Sequence, residues 1–151
     1  MRGRLASSLS VRVFVYPTEE EERVKSALRS LLSLPESEPP ALSTSEFRSV
    51  HGYRFKEIRV EVSSPTASAV LEKVLRALPE SDVRYLLSTL RSRIHRGHLY
   101  VRLDKQAMVL GEVRLDYGGL GGHVRLDFKL VVGPEELRGL ISEVTGVEEV
   151  R

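Results

Sequence analysis

The sequence contains no cysteine, which excludes disulfide bonds, thiolate catalysis and zinc sites built on cysteine. Asparagine is also absent, and Gln106 is the single glutamine. Scarce thermolabile side chains with 29% charged residues are typical of heat-adapted proteins, so we expect a thermophilic source. No run approaches the ~18 apolar residues of a membrane span, and the N-terminus lacks a continuous apolar signal region. We therefore expect a cytoplasmic protein with no membrane partner.

The chain has 151 residues, of which 41% are hydrophobic, and this size and composition predict a single folded domain over residues 1–151. One segment departs from this composition. Residues 34–46, LPESEPPALSTSE, hold three prolines and show neither a helical nor a strand period. We predict that this segment is a flexible loop.

Hydrophobic periodicity predicts an α+β fold with a mainly antiparallel sheet and helices packed on one face. The predicted order is β-α-β-β-α-α-β-β-β-α. Two of its features are a helix from about Ser81 to Ile94 and a closing meander of three strands. The expected meander strands are 99–103, 108–117 and 123–132.

The meander positions that point away from the expected core carry equal numbers of acids and bases. We therefore expect cross-strand ion pairs on this face, and we do not expect a charge-balanced face to be the main contact with a polyanion. The positions are Arg102, Asp104, Glu112, Arg114, Asp116, Arg125, Asp127 and Lys129.

The strongest functional signal is a basic segment, Val83–Leu103, which contains five arginines, two histidines and no acid. On a continuous helix Arg84, Arg91 and His95 would form one stripe able to follow successive phosphates. Arg96, Arg102 and Lys105 would extend the stripe. The alternative interpretation is an ordinary basic face in contact with solvent.

The strand that begins at Leu99 is interrupted at Asp104-Lys105-Gln106. We expect Asp104 to bond backbone donors of a turn. Lys105 and Gln106 would then point outward, the lysine toward a phosphate and the glutamine toward a base or ribose hydroxyl.

No motif predicts catalysis, a metal or a cofactor. His95 and His98 are three residues apart, but a metal site needs further ligands, and none is near in sequence. No nucleophile elbow or comparable catalytic frame occurs. We therefore expect a protein that is not an enzyme.

Two stretches, VRVFVYPTEEEERVKSAL and LYVRLDKQAMVLGEV, together with His51-Gly52, resemble an archaeal family of predicted exosome-associated RNA-binding proteins. The resemblance implies an α+β fold similar to that of the ribosomal protein that binds 5S RNA. It also implies RNA as a partner, with a link to the exosome or other RNA-processing subunits.

Two functions therefore stay open from the sequence. The first is non-catalytic RNA binding, in which the basic stripe contacts backbone phosphates. The second is a protein-interaction module that forms a homodimer or docks on a larger complex without touching RNA.

Overall fold

The computed structural model describes residues 4–34, 42–119 and 121–148. The strands are β1 (Ala6–Val15), β2 (Ser43–Arg48), β3 (Arg54–Ser63), β4 (Ile94–His95), β5 (His98–Asp104) and β6 (His123–Leu130). The helices are α1 (Glu21–Leu32), α2 (Thr66–Ala77), α3 (Glu80–Ser88), α4 (Leu90–Arg93), α5 (Lys105–Val109) and α6 (Pro134–Thr145). Within the described ranges, no helix combines the length and apolarity that crossing a membrane requires.

All six strands join one sheet in the order β2-β3-β1-β6-β5-β4, and every neighbouring pair is antiparallel. The predicted α+β class and its antiparallel sheet are therefore confirmed. Buried and more exposed residues alternate through β5, from Leu9 onward in β1 and over most of β6, as expected for a sheet covered on one face.

The core lies between one face of the sheet and the helices. In β1, at the centre of the sheet, Leu9, Val11, Val13 and Val15 are all buried. Val11 and Val13 are in register with buried residues of both β3 and β6. Amphipathic helices such as α2 pack their apolar side on this face of the sheet. The intervening residues point to the opposite side, which we call the open face.

The predicted second strand of the meander, 108–117, is wrong. The chain after β5 instead forms the short helix α5, because the Asp104 carboxylate accepts a hydrogen bond from the Ala107 amide at 3.0 Å. Ala107 and Met108 are buried on its inner side. Of the expected strand, only Leu115 makes a bridge, to Leu103. Asp104 has the turn-forming role that the sequence predicted.

The predicted helix over 81–94 is interrupted. Its main part, α3, ends at Ser88. The Thr89 hydroxyl donates a hydrogen bond to the Tyr85 carbonyl at 2.8 Å, and it competes there with the backbone amide for the same acceptor. The single turn α4 follows, and the chain is a strand again from Ile94. A stripe from Arg84 to His95 along one helix is therefore excluded.

The proline-rich loop is shorter than predicted at its C-terminal end. Residues 35–41 lie outside the described part of the chain. Ser43–Glu46, which the prediction gave to the loop, already pairs with β3 as the first part of β2.

The side chain of Lys105 lies inside the protein, so its predicted outward position is wrong. It is only 1% exposed. Its Nζ donates to Glu19 Oε1 at 2.7 Å and to the Phe14 carbonyl at 3.0 Å, and it lies 4.6 Å from the centre of the Tyr16 ring. The Lys105–Glu19 ion pair therefore joins α5 to the connection between β1 and α1.

We expect Lys105→Met to lower the free energy of unfolding by about 3 kcal/mol, because it leaves the mostly buried Glu19 carboxylate without its cation. Urea denaturation at neutral pH measures the loss. The matched control is Lys129→Met at an exposed position, which should change the free energy by less than about 0.5 kcal/mol. Equal effects of the two changes would contradict the structural role of Lys105.

Candidate nucleic-acid interface

The residues of the predicted basic stripe lie on several elements, and two of them have local partners. Arg84 donates to Glu80 Oε1 and to the Glu148 carbonyl, both at 3.0 Å, and so has local partners. Gln106 is exposed, but its amide donates to Glu19 Oε2 and to the Gly121 carbonyl, both at 3.2 Å. Gln106 thus ties α5 to the glycine-rich turn that precedes β6.

Three other residues of the predicted stripe are exposed. Arg91 lies in α4, and His95 and Arg96 lie at the tight hairpin between β4 and β5. Arg96 and Gly97 have φ values of 51° and 80°, as a two-residue hairpin turn requires. Contact of these three residues with RNA stays a prediction. Among the described residues, no group of three histidine or acidic side chains is placed to hold a metal ion.

Four arginines form a line across the open face, and we call them the arginine row. Arg12 of β1 is directly opposite Arg59 of β3 on one side and Arg125 of β6 on the other. Arg125 is in turn opposite Arg102 of β5. Since neighbouring strands lie ~4.8 Å apart, the row crosses about 14 Å of the sheet.

The arginine row carries far more positive charge than negative. Arg12 and Arg59 share a single buried carboxylate, Glu57, which lies 3.4 Å from Arg12 Nε. The Arg125 guanidinium lies 5.2 Å from the centre of the Tyr100 ring. Within the described residues, no carboxylate lies at ion-pair distance from Arg102.

The expected pairing of acids with bases across the open face is therefore wrong at its centre. Arg102 and Arg125 face each other, and like charges directly opposite destabilise a sheet. A chain optimised only for stability would place an acid at one of these positions. The arginine row thus departs from the pairing of opposite charges that stabilises a sheet, and departures of this kind are typical of functional sites.

The acids expected to balance this face have other partners. Asp127 accepts from His98 Nδ1 at 2.7 Å, and Asp104 caps α5. Glu112 pairs with Arg114 at 3.2 Å within the segment that follows α5. None of these three carboxylates lies at ion-pair distance from an arginine of the row within the described residues.

Aromatic rings flank the arginine row at the end of the sheet where β2 and β3 meet. Phe55 is in edge contact with Phe14, with ring centres 5.6 Å apart, and it stacks on Phe47 at 5.5 Å. Phe47 is 43% exposed. Sheets that bind single-stranded RNA use exposed rings of this kind to stack bases.

His123 lies next to the row, opposite Asp104. Burial lowers the pKa of its imidazole below the ordinary 6.5, and the positive charges of Arg102, Arg125 and Lys105 lower it further, while Asp116 acts against them. The imidazole is therefore neutral at pH 7, because a protonated imidazole would be repelled by the positive charges of Arg102 and Arg125.

Sequence reasoning found Arg102 but missed Arg12, Arg59 and Arg125. A signal for them exists in the sequence, because each is a single arginine between two branched apolar residues at the middle of a strand. The four triplets are Val11-Arg12-Val13, Ile58-Arg59-Val60, Val101-Arg102-Leu103 and Val124-Arg125-Leu126. The same signal also marks Val113-Arg114-Leu115, which lies outside the strands of the structure.

Comparison with known proteins relates this chain to RNA-binding proteins of archaea. A family model described as RNA binding matches residues 8–130. An RNA-binding protein of Pyrococcus abyssi is 33% identical over 135 residues, which are 85% of this chain and 86% of that protein. An uncharacterized protein of Methanocaldococcus jannaschii is 28% identical over 95% of this chain and 98% of its own. A crystal structure from Archaeoglobus fulgidus, assigned to a family named DUF54, is 28% identical with a TM-score of 0.70, covering 92% of this chain and 99% of that one.

We expect His123→Gln to flatten the loss of stability in mild acid. Below its ordinary pKa of 6.5 the histidine binds a proton more readily in the unfolded chain than in the folded one, so stability falls as pH decreases from about 7 to about 5. Thermal unfolding across this range measures the slope. A His123→Gln slope equal to the wild-type slope would contradict this assignment.

Proposed function

This chain belongs to the RNA-binding family, and from that membership we propose that it binds RNA on the open face of its sheet. The arginine row contacts backbone phosphates and sets the position of the strand. The observation that carries the proposal is the register, which puts four guanidinium groups opposite one another on adjacent strands.

The chemistry of arginine suits this role. A guanidinium group presents a planar fork of donors that matches two phosphate oxygens, and its charge does not vary with pH. Phosphates would also relieve the repulsion within the row, so binding and folding would reinforce each other. Contacts to phosphate and not to base edges imply little sequence preference and a strong dependence on salt.

The proposal is for binding without catalysis. The polar groups beside the row have structural partners, since His98 pairs with Asp127 and Asp104 caps α5. The family resemblance seen in the sequence extends the proposal to association with the exosome or another RNA-processing assembly in the cytoplasm. Co-purification of exosome subunits from a native archaeal extract, with and without ribonuclease, tests whether such a link is direct.

A second candidate function is supported by the edge strand β2. All six of its residues are exposed, and its outer edge offers unpaired backbone groups to another chain. This edge could pair with a second copy or with a different protein. Sedimentation of the purified protein at several concentrations distinguishes a homodimer from a monomer.

We expect the double variant Arg12→Gln, Arg125→Gln to weaken RNA binding and reduce its dependence on salt. Each lost phosphate contact on a single strand should lower the slope of log K against log salt by ~0.7, so the pair should lower it by ~1.4. Fluorescence anisotropy with a single-stranded oligoribonucleotide, at several salt concentrations, measures both quantities.

Two further variants make this test specific. Arg76→Gln removes an arginine on α2 that pairs with Glu72 at 2.8 Å, and it should keep the wild-type slope. Arg84→Gln, Arg91→Gln tests the stripe predicted from the sequence. A reduced slope in the Arg84→Gln, Arg91→Gln variant, with an unchanged slope in the Arg12→Gln, Arg125→Gln variant, would show that the phosphate contacts lie on the helices and not on the sheet.

A further inference from the structure

A groove begins where the arginine row ends, and we call it the tyrosine groove. It lies between β5, the helices α3 and α4, and the segment 116–118, and it has a volume of about 460 Å³. Arg102 belongs to both the row and the groove. The side chains that line it and matter here are Tyr85, Arg93, Tyr100, Arg102, Asp116 and Tyr117.

The rings of the groove are accessible and close together. Tyr85 and Tyr117 are 43% and 60% exposed, and their ring centres are 5.0 Å apart with the planes inclined by 60°. The Arg93 guanidinium lies 5.7 Å from the centre of the Tyr85 ring. Exposed single aromatics are ordinary on protein surfaces, but three tyrosines with two arginines in one groove form a stacking surface.

Tyr117 is held in place by a buried acid. Asp82, which is 6% exposed, accepts from the Leu115 amide at 2.9 Å and from the Tyr117 hydroxyl. Burial and this hydrogen bond raise the pKa of Tyr117 to about 12, so the hydroxyl stays protonated and continues to donate. The segment that closes the groove is thereby fixed on α3.

Arg93 is held in a similar way. Its Nε donates to Thr89 Oγ1 at 2.8 Å, and the Thr89 hydroxyl in turn donates to the Tyr85 carbonyl at 2.8 Å. The interruption between α3 and α4 thus orients the guanidinium beside the Tyr85 ring. A groove whose side chains are fixed before binding loses less conformational entropy when a ligand enters.

Resting on the proposed function, we infer that the tyrosine groove takes an unpaired nucleobase of the RNA whose phosphates lie on the arginine row. A paired base is stacked within its duplex and cannot enter, so the groove makes the protein prefer single-stranded to double-stranded RNA. Stacking on aromatic rings and on arginine planes tolerates any base, which fits binding with little sequence preference.

The groove is less positive than the arginine row, because a carboxylate lies among its arginines. Asp116 lines the groove beside the two arginines, and its carboxylate repels a phosphate. The same carboxylate can accept hydrogen bonds from the amino groups of a base, as acidic residues do with cytosine. Arg12, Arg59 and Arg125 of the arginine row do not line the groove, so phosphate and base have separate places on one surface.

The test compares a single-stranded oligoribonucleotide with the same sequence in a full duplex, by fluorescence anisotropy at one salt concentration. We expect wild type to bind the single strand at least ~10-fold more tightly. Tyr85→Leu, Tyr117→Leu should lose most of this ratio and keep the wild-type salt slope. Tyr85→Phe, Tyr117→Phe keeps both rings and should keep the ratio, which separates stacking from the hydroxyl contacts.

A direct measurement accompanies the affinities. A 2-aminopurine in the single strand should be quenched on binding to wild type, because stacking on a ring quenches its fluorescence. An unchanged strand ratio in the folded leucine variant, or no quenching with wild type, overturns the base site. A reduced salt slope in the Arg12→Gln, Arg125→Gln variant with the strand ratio intact supports two separate sites. Wild type that binds neither RNA overturns the proposed function itself, and with it this inference.

Discussion

The antiparallel register of β3, β1, β6 and β5 is the constraint on which the rest of the structure depends. Burial of Val11, Val13 and their partners on the helix side forces the residues between them to the other side. A slip of one residue would expose the whole core face, so the hydrophobic effect fixes the register strongly. The same register, without any further interaction, aligns one arginine from each strand.

This alignment has a cost that the rest of the fold must offset. Four guanidinium groups on adjacent strands repel one another, and Glu57 is the carboxylate that contacts two of them. The apolar core on the other face supplies the stability that makes such repulsion tolerable. Charge repulsion in the free protein is also a reason for a polyanion to bind, because each phosphate removes part of it.

The region after β5 shows how one buried group decides local structure. Lys105 and Glu19 form an ion pair in the interior, and Gly122 passes so close that a side chain there would lie 3.0 Å from Lys105 Nζ. Asp104 caps α5, which turns Lys105 inward and Gln106 toward the glycine turn. The interruption of the strand at Asp104-Lys105-Gln106 therefore serves internal packing and not ligand contact. The accessible positive charge lies on the neighbouring sheet, in the arginine row.

The sequence alone determined the α+β class, the central strands and the amphipathic helices, because the spacing of apolar residues along the chain sets which side of each element is buried. It also contained the triplets that centre an arginine between branched apolar residues. The end of α3 at Thr89 and the helix after Asp104 depend on short-range hydrogen bonds between side chains and backbone, which hydrophobic periodicity does not record. The burial of Lys105 depends instead on Phe14 and Glu19, which are far away in sequence. The same holds for the arginine row and the tyrosine groove. Strand register is a non-local pairing, so only the tertiary structure decided which charges share a surface.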